Sequence, residues 1–248
     1  MSTSVADAQR DLRDLLARGV ELDFRPQGDL IDRPLRRSAV LILFGALDDV
    51  PARTAAPAST PRAMSAGVAP TPGSAPESAP PDLDVLLTLR ADRMRHHAGQ
   101  IAFPGGGVEP EDDGRAATAL REAAEETGLD PTGVEIIGCL PEAHIPVSNN
   151  LVTPVVGWWC RPSEVAADRS ESVEVFRVPV AELLDPRARG TSVLRRGGLV
   201  HRGAAFELGP RFGGRIVWGF TGILLATLFD QLGWSRPWDP MQEFAVDP

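Results

Sequence analysis

Lysine is absent from the 248 residues, so all 25 basic side chains are arginines. A lysine Schiff base is therefore excluded, because that chemistry needs a primary amine on the protein. A phosphate-binding loop that ends in Gly-Lys-Ser/Thr is excluded for the same reason. Composition alone thus removes two large classes of enzyme mechanism.

Cysteine is nearly as scarce as lysine, with only Cys139 and Cys160 in the chain. Both lie within apolar runs, and their number and spacing suggest neither a disulfide framework nor a zinc cluster. This usage indicates a reducing compartment. We expect both cysteines to be core residues.

Positive charge is in short supply, since 34 acidic side chains outnumber the basic ones and give a net charge of -9. Nucleic acid and anionic membranes bind clustered positive charge, so neither is predicted as a partner. A small or metal-bridged anionic ligand is still compatible with this net charge. The longest apolar run, residues 216–229, is shorter than the roughly 20 residues of a spanning helix. No basic start followed by an apolar run opens the chain, and a cytoplasmic protein is predicted.

Three segments are predicted along the chain: an N-terminal helical arm over residues 1–35, a globular domain over 36–235 and a tail over 236–248. Residues 5–18 place leucines at helical spacing, with Ser4 as an N-cap and Gly19 as a stop. Residues 51–81 contain eight prolines and nine alanines and almost no large apolar side chains. This composition predicts a disordered insertion in a loop between two strands.

Apolar runs bounded by turn residues predict the elements of the domain. We expect strands at residues 39–44, 85–90, 134–140, 151–160 and 173–178, and helices at about 115–127, 180–184 and 216–232. Residues 199–200 and 204–208 are interpreted as the two arms of a small hairpin. Strands and helices that mix without regular alternation favour an α/β or α+β sandwich over a doubly wound sheet.

The segment with the clearest chemistry is residues 105–129, GGGVEPEDDGRAATALREAAEETGL. On a helix, Glu122, Glu125 and Glu126 occupy positions i, i+3 and i+4, so their like charges share one face. A solvated acidic face normally intersperses basic residues, and here only Arg121 is nearby. The alternatives are a solvated face and a bound cation, for which Mg²⁺ or Mn²⁺ suits carboxylate ligands.

These residues resemble the signature of the Nudix hydrolase family, which is a glycine, a later acidic residue, and then Arg-Glu-hydrophobic-x-Glu-Glu-x-Gly-hydrophobic. The second half is complete over residues 121–129. The first half departs from the pattern, because an aspartate stands where the family has glutamate. Counting from Gly107 selects Asp113, and counting from Gly106 selects Asp112.

Residues 86–106, LLTLRADRMRHHAGQIAFPGG, resemble the extended pattern that precedes this box in the coenzyme A pyrophosphatase branch of the family. That branch also shows the Asp112 spacing, which favours Asp112 over Asp113. The resemblance covers about residues 36–46 and 83–232. It leaves the N-terminal helix and the Pro/Ala-rich insertion unexplained.

The resemblance implies a Nudix α/β/α sandwich with a mixed sheet, in the α/β class, and a metal-dependent hydrolase. The implied reaction splits the diphosphate of coenzyme A or a derivative into phosphopantetheine and adenosine 3',5'-bisphosphate. The implied metal ligands for Mg²⁺ or Mn²⁺ are four carboxylates and one carbonyl: Glu122, Glu125, Glu126, Asp112 and Gly105. Arg121 is expected to orient the glutamates by ion pairing.

The general base and the substrate clamp are less sharply marked. Catalytic roles fall on Glu125, Glu126, Arg121 and Glu171, and Glu171 is equally well read as an ordinary loop acid. Arg90, Arg93 and Arg95 form the basic cluster beside the box and suit phosphate oxygens, with surface ion pairs as the alternative.

Two other functions stay open at this point. In one alternative the chain is the same kind of hydrolase, but its substrate is ADP-ribose or a dinucleotide. The box residues cannot distinguish these substrates from coenzyme A, because they contact only the diphosphate that all of them contain. In the other, the chain is a non-catalytic nucleotide-binding regulatory module, although mutually repelling carboxylates argue against that reading. The family also suggests a homodimer.

Overall fold

The computed structural model describes residues 4–22, 34–48, 52–53, 82–91, 99–146, 148–168 and 172–247. The helices, in chain order, are α1 (Val5–Arg18), α2 (Gly114–Thr127), α3 (Val180–Leu183) and α4 (Gly219–Gln231). The first strands are β1 (Arg36–Ala46), β2 (Ala52–Arg53), β3 (Leu83–Arg90), β4 (Ile101–Ala102), β5 (Gly105–Gly107), β6 (Val134–Cys139) and β7 (Ala143–Ile145). The later strands are β8 (Asn150–Trp159), β9 (Val165–Ala166), β10 (Ser172–Pro179), β11 (Arg189–Arg196), β12 (Leu199–Glu207), β13 (Ile216–Val217) and β14 (Glu243–Val246).

The main sheet is mixed and has the order β10-β3-β1-β8-β6. Its central pair, β1 and β8, is parallel, whereas β3, β6 and β10 join it by antiparallel pairing. Three short strands extend it, because β4 pairs with β3, β5 with β1 and β7 with β8. The predicted mixed sheet is confirmed, and it is not doubly wound.

Helices cover both faces of this sheet. Side chains alternate along a strand, so Leu41 and Leu43 of β1 pack with Ala119 and Ala123 of α2 on one face. The intervening residues pack on the other face, in one buried cluster with α1 and α4. This is the α/β/α sandwich that the sequence predicts.

Helix α1 has the bounds expected from the sequence, Val5–Arg18. Ser4 caps it, since its hydroxyl accepts from the Asp7 amide while the Asp7 carboxylate accepts from the Ser4 amide. Such reciprocal bonds satisfy amides that a helix start leaves open. Leu12 and Leu15 are buried, which docks the N-terminal helix on the domain.

The predicted small hairpin is wrong. Residues 199–207 form the single strand β12, whose antiparallel partner is β11. The turn lies earlier, at Gly197 and Gly198, where positive φ angles of 57° and 80° suit a two-residue hairpin turn. The apolar pattern did not predict β11 as a strand, because both ends of β11 are charged.

The same second sheet has the order β13-β12-β11-β14 and alters two other expectations. Ile216 and Val217 pair with β12, so α4 begins at Gly219 and not at residue 216. Residues 243–246, within the predicted tail, form β14 and pair in parallel with β11. None of the helices among the described residues is long and apolar enough to span a membrane.

The expected burial of both cysteines is wrong, because Cys139 and Cys160 are exposed. Each stands where its strand ends or has just ended, so the apolar neighbours are buried and the thiol is not. The predicted disorder of residues 51–81 falls outside the described residues except at Ala52 and Arg53. These two form β2 and pair in parallel with β9.

Candidate active site

The glycine turn before α2 is held on the edge of β1. Leu41 donates from its amide to the Pro104 carbonyl at 2.8 Å, and Val108 donates to the Arg37 carbonyl at 3.0 Å. Since bonding alternates along an antiparallel pair, the carbonyls of Gly105 and Gly107 point away from β1. The Gly107 carbonyl accepts from Nη2 of Arg121 at 2.9 Å, so this side of β5 faces α2.

Two glycines of this turn make approaches that a larger residue would prevent. A Cβ at Gly105 would lie 2.3 Å from the Ala39 carbonyl oxygen, and one at Gly106 would lie 2.4 Å from Cδ of Glu122. The backbone of β1 therefore requires glycine at position 105, whereas a Cβ at position 106 would displace the carboxylate of Glu122.

The three glutamates of α2 differ strongly in exposure. The side chain of Glu126 is 3% exposed, that of Glu122 is 13% exposed and that of Glu125 is 59% exposed. The predicted shared face therefore runs from the interior at Glu126 to solvent at Glu125. Glu122 lies between them, over the bare backbone of Gly106.

Arg121 reaches across this face. Its Nη1 lies 3.1 Å from Oε1 of Glu122 and 3.3 Å from Oε2 of Glu125. Its Nε lies 2.9 Å from Oδ1 of Asp112. The hydrogen bond to Asp112, with the charge of Glu122, raises the pKa of the Arg121 guanidinium above its ordinary value.

Asp112 is the aspartate that the structure ties to the helix. Its carboxylate accepts from Arg121, from the Thr118 hydroxyl at 2.8 Å and from the Glu109 amide at 2.9 Å. These hydrogen bonds, that of Arg121 first, hold the pKa of the Asp112 carboxyl well below its usual range. Asp113 occupies the N-cap position and its side chain makes no capping hydrogen bond.

Sequence reasoning missed Thr118 and Glu109 as the partners that hold Asp112. Thr118 is fully buried on α2, one turn before Glu122, so its place on the inner face was readable from helical spacing. Nothing in the sequence marks the Glu109 amide, because that contact depends on the fold of the turn.

Arg90 and Glu126 bring the two sequence motifs together. Nη1 of Arg90, at the end of β3, lies 4.0 Å from Oε1 of Glu126. The Arg90 backbone makes two hydrogen bonds, to the Gln100 carbonyl at 3.0 Å and from the Gly99 amide at 3.1 Å. The Arg90 side chain is 20% exposed and that of Glu126 is 3% exposed, so Arg90 is the more accessible of the two.

Comparison with known proteins shows which family this chain is similar to. A model of the NUDIX domain matches residues 76–196. The uncharacterized Nudix hydrolase NudL of Citrobacter koseri is 40% identical over 150 residues, which are 60% of this chain and 75% of the relative. NudL of Cronobacter sakazakii is 38% identical over 154 residues, 62% of this chain and 77% of the relative. The chain belongs to the Nudix hydrolase family.

A solved structure, the Nudix hydrolase RenU of M. smegmatis, is 20% identical and covers 60% of this chain and 73% of its own. Its TM-score is 0.41, and the assignment does not depend on it. The family match includes both the box at residues 105–129 and the whole extended segment at 86–106. The predicted Nudix fold and hydrolase class are therefore confirmed at the level of the family.

Nudix hydrolases generally use divalent ions such as Mg²⁺ or Mn²⁺, and the donor set here suits that chemistry. Carboxylates of α2 and the outward carbonyl of Gly105 are the hard oxygen donors that these ions prefer. Within the described part of the chain, no three acidic, histidine or cysteine side chains are already gathered as a metal site. Arg121 instead bridges Glu122 and Glu125, so these side chains must rotate to converge on an ion.

The remaining predicted site residues cannot be placed. Arg93, Arg95 and Glu171 lie outside the described residues, so their roles stay predictions. Of the predicted clamp, only Arg90 is located beside the box.

Proposed function

We propose that this Nudix hydrolase splits the diphosphate of coenzyme A or its derivatives into phosphopantetheine and adenosine 3',5'-bisphosphate. The observation that carries the proposal is the 4.0 Å approach of Arg90 Nη1 to Glu126 Oε1. Arg90 belongs to the extended segment that resembles the coenzyme A branch, and Glu126 belongs to the Nudix box. Residues proposed to recognise substrate and residues proposed to catalyse thus share one site.

In this proposal, Mg²⁺ or Mn²⁺ is held by carboxylates of α2 with the Gly105 carbonyl. Such an ion neutralises phosphate oxygens and activates a water molecule. Glu126 is the first ligand by position, because burial keeps its carboxylate in place; Glu122 and Glu125 complete the set. Asp112 is better suited to hold Arg121 than to bind metal, since its carboxylate already accepts four hydrogen bonds.

Arg121 and Arg90 have different roles in this scheme. Arg121, fixed by Asp112 and Gly107, orients Glu122 and Glu125. Arg90 binds phosphate oxygens of the substrate, as its planar fork of donors allows. Arg93 and Arg95 extend this clamp, and Glu171 serves as general base. A cytoplasmic location and a homodimer remain predictions from the sequence and the family.

Product analysis tests the reaction directly. Purified protein is incubated with coenzyme A, ADP-ribose or a dinucleotide in Mg²⁺, Mn²⁺ or chelator, and products are identified by chromatography and mass. Release of phosphopantetheine from coenzyme A, abolished by chelator, is the expected result. Cleavage of another substrate alone would reject the coenzyme A assignment, and tight nucleotide binding without cleavage would favour the regulatory module.

The clamp is tested by its selectivity. Coenzyme A carries a ribose phosphate that its dephosphorylated form lacks, so Arg90→Ala is expected to change the relative rates on these two substrates. Arg10→Ala is the matched control, because Arg10 is 63% exposed on α1 and pairs with Asp7 of the same helix. An unchanged ratio in Arg90→Ala would remove Arg90 from recognition of that phosphate.

A further inference from the structure

Two buried polar atoms belong to paired residues at the ends of β3 and β10. Nε of Arg90 and Oγ of Ser172 are both shielded from solvent, and neither has a hydrogen-bond partner in the described structure. Ser172 as a whole is 1% exposed. Buried polar groups are nearly always hydrogen-bonded, so a pair of neighbouring exceptions at a functional site points to a contact made during function.

Strand register puts these two side chains on the same face. Ser172 is the Cα partner of Arg90 in the antiparallel pairing of β10 with β3. Residues directly opposite in such a pair have side chains on one face, with Cβ atoms about 4.5 to 5.5 Å apart. Ser172 therefore lies on the α2 face of the sheet, beside the Arg90 side chain that approaches Glu126.

A β-bulge is responsible for this orientation. The register shifts by one residue between Ser172 and Glu174, which pairs with Leu89. In a regular strand Ser172 would share the face of Glu174 and Phe176, away from α2. The bulge places Ser172 on the same face of the sheet as Arg90, and bulges are often found beside active sites.

Backbone contacts connect Ser172 to the end of the catalytic helix. The Ser172 amide donates to the Asp168 carbonyl at 3.2 Å, and the Asp168 amide donates to the Glu126 carbonyl at 2.9 Å. Glu126, Asp168, Ser172 and Arg90 thus form a closed ring of contacts around the inner wall of the site. The position of the Ser172 hydroxyl is fixed by this backbone and not by its side-chain partners.

We propose that Ser172 is the positioning residue of the substrate clamp: its hydroxyl accepts a hydrogen bond from the Arg90 Nε–H and directs the two Nη groups to phosphate oxygens of the substrate. The proposal rests on the proposed function for the role of Arg90. In this proposal the bond forms by rotation of the two side chains, which the strand register places opposite each other. The Nη groups of the guanidinium then face the substrate, and the Glu126 carboxylate stays available to bind the metal ion.

A double-mutant cycle tests this coupling, with Ser172→Ala, Arg90→Lys and the double variant. Lysine retains the charge of Arg90 and lacks its Nε–H. Arg90→Lys therefore removes the donor of the proposed hydrogen bond, whereas Ser172→Ala removes the acceptor. With whichever nucleotide is turned over, Ser172→Ala is expected to raise KM about tenfold, the effect of one hydrogen bond to a charged group. We expect kcat to change less than about twofold, and Ser172→Ala to have no further effect in the Arg90→Lys background.

Stability and a matched control separate positioning from structure. The Ser172 hydroxyl has no partner in the described structure, so its removal is expected to leave the melting temperature unchanged. Ser192→Ala is the control, because Ser192 is equally buried in the second sheet and its hydroxyl donates to the Gly203 carbonyl at 3.1 Å. That variant is expected to lose stability and to retain its KM.

Equilibrium binding gives a readout that does not depend on turnover. The same cycle is measured by calorimetry with coenzyme A and with ADP-ribose in chelator, and the Arg90 Nε–H signal is followed by NMR. Ligand is expected to shift that signal in wild type and not in Ser172→Ala. Additive effects of the two substitutions would overturn the proposal, whereas cleavage of ADP-ribose alone with intact coupling would reject only the coenzyme A assignment.

Discussion

Gly106 and Glu122 are in such close contact that the position of the glutamate depends on the absence of a side chain at the glycine. A Cβ at Gly106 would stand 2.4 Å from Cδ and 2.4 Å from Oε2 of Glu122. Strand β5 is itself held on β1, so Glu122 of α2 packs directly against an edge of the sheet. The glycine turn therefore limits the positions that the Glu122 carboxylate can occupy.

Gly106→Ala is expected to reduce kcat by about a hundredfold, since a displacement of about 1 Å in a catalytic group has that effect. Gly107→Ala is the matched control, because a Cβ there would meet nothing within 4 Å. The control is expected to stay within about twofold of wild type. Equal losses in the two variants, measured by steady-state kinetics, would show that the contact with Glu122 is unimportant.

Asp112→Asn is expected to lower activity about tenfold or more, because hydrogen bonds between ionised groups contribute about twice as much as neutral ones. The loss releases Arg121, which then no longer orients Glu122 and Glu125. Asp113→Asn is the control, as the Asp113 side chain makes no cap hydrogen bond. A larger loss in Asp113→Asn would reverse this assignment of the two aspartates.

Glu126→Gln is expected to reduce turnover about a thousandfold and leave the fold intact, because one metal-binding charge is lost in a side chain of nearly equal volume. Circular dichroism and the melting temperature check the fold, and Mn²⁺ titration checks metal binding. Glu111→Gln, in the exposed turn before α2, is the control and is expected to retain full activity. Unimpaired turnover in Glu126→Gln would exclude Glu126 as a ligand.

Local periodicity predicts the parts of this fold in which one face of an element is buried. Apolar spacing predicts the bounds of α1 and the presence, although not the full length, of the central strands β1 and β8. The three glutamates share a helix face as expected. Spacing alone leaves Asp112 and Asp113 both open, and the resemblance to the coenzyme A branch favours Asp112. These features depend on neighbours in sequence, where a pattern of residue types is sufficient.

Features that depend on strand pairing could not be predicted. The apolar pattern does not predict the β11–β12 hairpin, because residues 195–202 are exposed on both arms and include three arginines. Ser172 has no motif of its own, and only the bulge in β10 places it on the same face of the sheet as Arg90. The exposure of Cys139 and Cys160 likewise depends on where the strands end.

A buried charge cluster away from the box makes stability depend on pH. Asp84 is 1% exposed on β3 and lies 2.6 Å from Nε of Arg177, whose guanidinium stacks 4.9 Å from the Trp159 ring centroid. Burial outweighs the attraction of Arg177 and raises the pKa of Asp84 from 3.8 to about 6. The folded state therefore binds a proton that the unfolded state has released between these two values.

The contribution of Asp84 to the free energy of unfolding is accordingly complete below about pH 4 and is lost as the pH rises through about 6. Relative to Asp84→Asn, wild type is expected to lose about 2 to 3 kcal/mol between pH 4 and 7. Urea unfolding across this range measures the difference, and Asp82→Asn, at an exposed turn, is the control that should follow wild type. Parallel curves for wild type and Asp84→Asn would mean that Asp84 titrates alike in the folded and unfolded states.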